Sequence, residues 1–247
     1  MEITILGSSH GVPEPNRKCA CYMISVGHGE DRKIYFIDMG MSAIQELTNR
    51  GIRPEKVKAV FVTHRHSDHT NGLPEFVSLI SWYYKNVATE FYMPDPTMAP
   101  ALKGWIATTG TKVREELKFD VVQNGTFYDD GTLKVTAFPT DHCENAHCFL
   151  VEADGQYAFF SGDLSHKTPE DDFPVEALAN IPLSVAFCEA AHFPCDLYIP
   201  IFKKLNVGRI VLSHYSEKRT LPYIVHLREE IAPQTVTLGT DGMQFLL

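Results

Sequence analysis

The chain has 247 residues, of which 44% are hydrophobic and 21% charged, and its formal net charge is −9. A chain of this length buries a sizeable core without disulfide support, and its composition is that of an ordinary globular protein. The acidic balance argues against a nucleic-acid partner held by many phosphate contacts, with a local basic groove the one arrangement that would reverse this.

The opening segment MEITILGSSHG has no basic stretch ahead of an apolar one, so no signal peptide is expected there. No apolar run approaches the length of a membrane span. The six cysteines, Cys19, Cys21, Cys143, Cys148, Cys188 and Cys195, read as reduced thiols, which fits a cytoplasmic location. Cys19 and Cys21 are spaced as a metal-capable pair, but no second pair completes a four-cysteine site, and they read as ordinary loop residues.

In chain order, residues 2–7, 21–26 and 32–40 read as strands bounded by glycine and charge. Residues 42–52 have helical spacing, with Ser42 as N-cap and Gly51 as stop. Residues 58–64 form an apolar strand, 73–87 a helix with Pro74 in its first turn, and 88–94 a short strand. Between 118 and 142, β-rich runs are separated by Asn124-Gly125 and Asp130-Gly131 turn signals. Residues 147–163 read as a hairpin turning at Asp154-Gly155. A helix over 174–181, strands over 183–192 and 208–216, a helix over 221–231 and a final pair of strands turning at Asp241-Gly242 complete the pattern. The expectation is a two-sheet core with helices on its outer faces, forming a single domain over residues 1–247.

Polar chemistry gathers where strands end, which is where α/β scaffolds build sites. The strand at 58–64 runs into THRHSDH, which offers His64, His66, Asp68 and His69. Alternate residues of an extended segment share a face, so His64, His66 and Asp68 can converge, with a turn bringing His69 beside them. Imidazole and carboxylate are zinc donors, and four of them overfill one catalytic ion that keeps a water position. They suit two ions roughly 3.5–4 Å apart. His142, Asp163 and His214 each follow an apolar strand and supply the remaining donors, with His147 an alternative to His142 in the same loop. Any one of these alone is an ordinary turn or cap residue; together they form a set.

The pattern His-x-His-x-Asp-His, a later His, an Asp after a strand and a last His resembles the metallo-β-lactamase fold superfamily of dinuclear metal hydrolases. The opening LGSSHGVPEPNRKCACYMI resembles its phosphodiesterase branch, which includes the tRNA 3′-processing endonucleases, and the closing GTDGMQFLL is also similar to the superfamily. The resemblance implies an α+β or α/β fold, a four-layer αββα sandwich with two βα halves facing each other. It implies a first metal on His64, His66 and His142, a second on Asp68, His69 and His214, and Asp163 bridging both. The ions would be zinc, with manganese or iron compatible. A hydroxide held between them would be the nucleophile, oriented by Asp68. Dimers are common in this branch, which makes a homodimer possible, and the sequence leaves the oligomeric state open.

Departures from other branches narrow the resemblance. His66 stands where diiron oxygen-reducing relatives place Glu, and Asp163 where many β-lactamases place Cys. The 33 residues after His214 are too few for the helical domain of glyoxalase II relatives, and the stretch from Asp163 to His214 lacks the Gly- and Pro-rich arm of many tRNA processors. FCEAAHF partly resembles motifs of related hydrolases. Glu189 and His192 read either as a charge-supported acid for the leaving group, or with Glu189 as partner of a ligand histidine. His28, His166 and His226 read as turn or surface residues, Arg17 and Lys18 as a solvated pair, and His10 as part of a loop bordering the pocket.

The expected function is a dinuclear zinc hydrolase acting on a phosphodiester or related ester of small or medium size, with no membrane partner. The alternatives are a lactone or thioester hydrolase of the same fold, an RNA-processing nuclease, and a non-catalytic protein that retains the metals to bind a ligand.

Overall fold

In the computed structural model, which describes residues 1–12 and 14–247, the chain builds two sheets. Pro13, in the N-terminal stretch quoted above, lies outside the described residues. The strands are β1 (Glu2–Gly7), β2 (Cys21–Val26), β3 (Lys33–Ile37), β4 (Val57–Phe61), β5 (Glu90–Met93), β6 (Lys118–Val121), β7 (Gly125–Asp129), β8 (Lys134–Thr140), β9 (Ala146–Ala153), β10 (Gln156–Phe160), β11 (Leu183–Ala190), β12 (Arg209–Tyr215), β13 (Thr235–Leu238) and β14 (Gln244–Leu246). The helices are α1 (Ala43–Asn49), α2 (Ser67–Thr70), α3 (Leu73–Trp82), α4 (Met98–Thr108), α5 (Val175–Leu178), α6 (Ile199–Phe202), α7 (Glu217–Thr220) and α8 (Ile224–Glu230).

One sheet runs β14-β1-β2-β3-β4-β5-β6 and the other β13-β12-β11-β10-β9-β8-β7. Side chains alternate across each strand, and the alternation sorts the core into three layers. Ile3, Ile5, Tyr35, Ile37 and Phe61 of the first sheet meet Val135, Phe149, Phe160 and Phe187 of the second between the sheets. Ile34, Phe36 and Val60, one residue out of phase, point to the other face of the first sheet, where Ile44 and Leu47 of α1 and Phe76 and Ile80 of α3 cover them. Phe159, Ala186 and Leu212 do the same on the second sheet, under Phe202 of α6 and Leu227 of α8. The result is the expected αββα sandwich. No helix among the described residues is long and apolar enough to cross a membrane.

Local expectations hold in part. Ser42 caps α1, its hydroxyl accepting from Gln45 N at 3.3 Å, and the Asp154-Gly155 turn joins the antiparallel pair β9 and β10. The final two strands do not pair with each other. β13 lies parallel to β12 at the edge of one sheet and β14 antiparallel to β1 at the edge of the other, so residues 239–243 cross between sheets. Asn124-Gly125 likewise carries the chain from β6 to β7, on opposite sheets, rather than closing a hairpin.

Candidate functional site

β4 delivers His64 and His66 in extended backbone, and α2 starts at once with His66 as its N-cap. Its single turn presents Asp68 and His69 toward the same point. α2 sits close because Gly40 has no side chain: a Cβ there would lie 1.7 Å from the Asp68 carbonyl oxygen. Met39 N donates to His69 O at 2.8 Å, locking the two segments together.

Asp38, just after β3, was not singled out from the sequence. It has a φ of 58° and is buried. Its carboxylate accepts from Thr63 N (2.8 Å), from Thr63 Oγ1 (2.9 Å) and from His69 Nδ1 (2.7 Å). The Thr63 hydroxyl has one proton and gives it to Asp38, so it accepts from His64 Nδ1 at 3.0 Å. Both imidazoles therefore turn their Nε2 atoms inward. The signal that could have found Asp38 is the one used elsewhere, an acid ending an apolar strand before a glycine.

The opposite sheet supplies the rest. His142 follows β8 and donates from Nδ1 to Leu164 O at 3.1 Å, which aims its Nε2 at His66 Nδ1, 3.0 Å away. His147 lies on β9, packed parallel to the Phe149 ring, and does not line the cleft. Asp163 follows β10 through Gly162, whose φ of 53° and tight approach to His147 O suit glycine. His214 lies one residue before the end of β12 with a φ of 54°, and its backbone N–H donates to Ser8 O at 2.9 Å.

Seven side chains thus meet at one edge of the two sheets. His64 Nε2 lies 3.1 Å from His66 Nδ1, and Asp163 Oδ2 lies 3.7 Å from His64 Nε2 and 3.6 Å from His142 Nε2. Asp68 Oδ2 is 3.4 Å from His69 Nε2 and 3.1 Å from His214 Nε2, and the two imidazole nitrogens are 3.3 Å apart. Asp163 Oδ1 stands 3.4 Å from His69 Nε2. Donors placed tetrahedrally at about 2.0–2.1 Å from an ion are about 3.3–3.4 Å from each other, so both groups have the spacing a metal ion requires. Among the described residues, Asp163 Oδ1 and His214 Nδ1, 3.3 Å apart, are buried without a hydrogen-bond partner, which also fits donors that serve an ion.

Electrostatics agree with that chemistry at His64 and His142, whereas at His69 burial is outweighed by the carboxylates of Asp38 and Asp163, which hold the imidazole above its usual range. Burial holds His64 well below the usual imidazole range, and His142 below it as well, so both carry the lone pair a metal needs. Burial works against the charge of Asp68, but the neighbouring His214 and His69 outweigh it and hold the carboxyl well below its usual range. Burial also opposes ionisation of Asp163, and the surrounding imidazoles, His214 first, override it.

Glu189, at the end of β11, is buried and accepts from Leu164 N (2.6 Å), Ala191 N (3.1 Å) and His192 N (3.1 Å). His192 Nδ1 donates to it at 2.8 Å. Burial pulls His192 down, but the Glu189 hydrogen bond and charge raise it above its ordinary value. Its other nitrogen, Nε2, stands 3.9 Å from Asp163 Oδ2. Glu189 thus partners His192 and not a histidine of the main cluster.

A cleft of about 850 Å³ opens over the cluster, lined by His10, His166, His192, Lys218, Arg219 and Tyr223 among others. Two histidine readings are settled here. His10 does border the cleft, and His166 is exposed as expected, standing at the cleft rim with its ring 4.6 Å from that of His192. Arg17 is not solvated. It is buried, its guanidinium lies 3.8 Å from the Tyr215 ring centre, and it donates to Tyr215 O at 2.9 Å. Lys18 is exposed, as expected, and pairs with Glu46 at 3.0 Å. His226 is exposed beside Asp196, as a surface residue should be.

Two facing sheets under outer helices, with a histidine and aspartate cluster at their shared edge, make this a metallo-β-lactamase fold protein. The family described as Anti-Pycsar protein Apyc1 matches residues 1–220, and the chain belongs to that family. The structure superposes on the metallo-β-lactamase fold protein YhfI from Bacillus subtilis with a TM-score of 0.77 at 14% identity, over 99% of both chains. It superposes on the short form of human tRNase Z with a TM-score of 0.75 at 19% identity, over 100% of this chain and 99% of that one. In sequence it is 27% identical over 182 residues to Ribonuclease Z of Synechococcus sp. (strain CC9311), covering 72% of this chain and 57% of that protein. The chain spans about half the length of the curated relatives it matches.

Proposed function

We propose that this chain is a metal-dependent hydrolase of phosphodiester bonds. One observation carries the reading above all. Two groups of metal-capable donors meet at the two oxygens of Asp163, and a carboxylate-backed imidazole, His192, stands 3.9 Å from the same residue. His64, His66 and His142 would hold one divalent ion, Asp68, His69 and His214 a second, with Asp163 shared. Zinc suits this donor set, and manganese or iron is compatible with it. When bound, such ions activate water and neutralise charge on the attacked group.

The chain's own residues do the rest. Asp38 and Thr63 fix the imidazoles of His64 and His69, and Leu164 O fixes that of His142. Asp68 places a carboxylate oxygen at the cleft floor, where it can orient the attacking water. His192 carries a proton on Nε2 toward the cleft. As the phosphorus–oxygen bond to the leaving group breaks, that proton passes to the departing oxygen, and Glu189 holds the ring throughout. The cleft has room for a small or medium substrate. The ribonuclease names of several relatives support phosphodiester over lactone or thioester chemistry, and extend the reading to RNA as substrate. The apolar layer shared by both sheets supports one domain over residues 1–247, and the free thiols support a cytoplasmic setting.

The test is metal content per chain, followed by hydrolysis of bis(p-nitrophenyl) phosphate, a short RNA, a lactone and a thioester, before and after chelation. About two ions per chain and phosphodiester cleavage that stops on chelation and in His66→Ala are the expected results. Turnover that survives chelation, or activity confined to the lactone or thioester, overturns the proposal.

A further inference from the structure

The loop after β11 carries His192 into the cleft, and it is held on two sides. Its N–H groups at Ala191 and His192 donate to the Glu189 carboxylate. Its carbonyls are taken by α7. Thr220 Oγ1 donates to Ala190 O at 2.9 Å, and a single Arg219 nitrogen, Nη1, donates to Ala191 O at 2.9 Å and His192 O at 3.1 Å. Three consecutive carbonyls thus find their donors on one turn of helix, and that turn follows directly on the strand end bearing His214. Thr220 is buried and braces the root of the loop. Arg219 is exposed along the cleft wall, yet it spends its Nη1 on the backbone of the two residues that set the direction of the imidazole.

We propose that Arg219 is the positioning residue of the acid: it fixes the carbonyl side of the loop so that His192 Nε2 points at the leaving oxygen. The inference rests on the reading of His192 as general acid. A charged donor bonded to two carbonyls holds them better than a neutral one, and an acid displaced by a fraction of an ångström loses much of its effect. Without Arg219, Glu189 still binds the imidazole, but the loop is free to tilt.

The test compares Arg219→Met, Arg219→Lys and His192→Gln, each metal-loaded, on methyl aryl phosphates whose leaving groups run from 4-nitrophenolate to phenolate. Methionine keeps the apolar stem and removes the donor. Because an acid contributes about 10²- to 10⁴-fold where the leaving group needs a proton, His192→Gln should steepen the dependence of kcat on leaving group. Arg219→Met should steepen it in the same sense, by about 3-fold loss for 4-nitrophenolate and about 30-fold for phenolate, with KM within about 2-fold. Arg219→Lys should recover part of the loss, and the double variant should be no worse than His192→Gln alone. A second readout needs no turnover: the His192 Nδ1 proton, observed by NMR in protein labelled at histidine nitrogen, should exchange faster with water in Arg219→Met.

A rise in KM with an unchanged leaving-group slope would make Arg219 a substrate contact and overturn the inference. So would an equal loss on every substrate with an unaltered Nδ1 proton. If His192→Gln leaves the slope unchanged, the acid reading itself fails; a steeper slope in His192→Gln alone overturns only the role of Arg219.

Discussion

Asp38 decides which nitrogen of His69 faces the cluster. As a carboxylate it can only accept, so His69 must donate from Nδ1 and keep Nε2 inward. In Asp38→Asn the amide can turn its NH2 toward His69 and favour the opposite tautomer. We expect a 10- to 100-fold loss of metal affinity, confined to the ion held by Asp68, His69 and His214. Titration of metal against a competing chelator checks this, and two unchanged sites would refute it. Glu189→Gln should act on the rate instead, slowing substrates with poor leaving groups about 100-fold while leaving metal content alone. His147 gives a pH effect outside the set of ligands. Burial lowers its pKa, so the folded state keeps it neutral while the unfolded chain takes up a proton near pH 6.5. Its contribution is present above that pH and is lost as pH falls below it. His147→Phe should therefore flatten the fall in unfolding free energy between pH 7 and 5, measured by urea denaturation. An unaltered slope would assign the acid sensitivity to other groups. The residues legible from sequence were those that interrupt apolar runs in a cluster. Asp38 escaped because its meaning comes from Thr63 and His69, partners 25 and 31 residues along the chain.

At the scale of elements, the site depends on α2 lying flat against the turn after β3. That approach leaves no volume at Gly40, where a Cβ would sit 1.7 Å from a backbone oxygen of α2. Gly40→Ala must push α2 away, and overpacking of this kind costs about 1–3 kcal/mol. Loss of stability on that scale should come with loss of metal, because Asp68 and His69 move with the helix. Normal metal content in a destabilised Gly40→Ala protein would show that the two are separable. The N-terminal loop is anchored comparably by Asp241, which accepts from Ser8 N (2.9 Å), Ser8 Oγ (2.8 Å) and Lys18 N (2.8 Å). This is also where local reading ran out. The turn at Asp241-Gly242 was visible, but turn chemistry does not say which sheet the next strand joins. α4 was missed because its sequence, MAPALKGWIAT, mixes proline, glycine and threonine into a weak apolar stripe. The strand ends were easier, since an apolar run that stops at His or Asp marks its own boundary.

At the scale of the molecule, the donors divide by sheet. His64, His66, Asp68 and His69 come from the first, and His142, Asp163 and His214 from the second, so bound ions would clip the two sheets together at one edge. Elsewhere the sheets are held by the apolar layer between them, which needs no ion. The pattern of strand ends implied this facing arrangement only through the resemblance, because no local signal brings residue 66 to residue 142. Removing metal should therefore loosen the edge and spare the core. An ion present at about 100 times its dissociation constant stabilises the folded state by about 2.7 kcal/mol, and for a chain of this size each kcal/mol shifts Tm by about 2–4 °C. Chelation should then lower Tm by about 5–11 °C, with far-ultraviolet circular dichroism unchanged and recovery on adding metal back. Hydrogen exchange should quicken around residues 64–70, 141–145, 161–165 and 213–220 and stay slow in β3, β9 and β10. If exchange instead rises evenly through both sheets, the ions are part of what holds the whole sandwich together. If neither Tm nor exchange responds to chelation, the cluster does not bind metal in the folded protein, and the hydrolase reading falls with it.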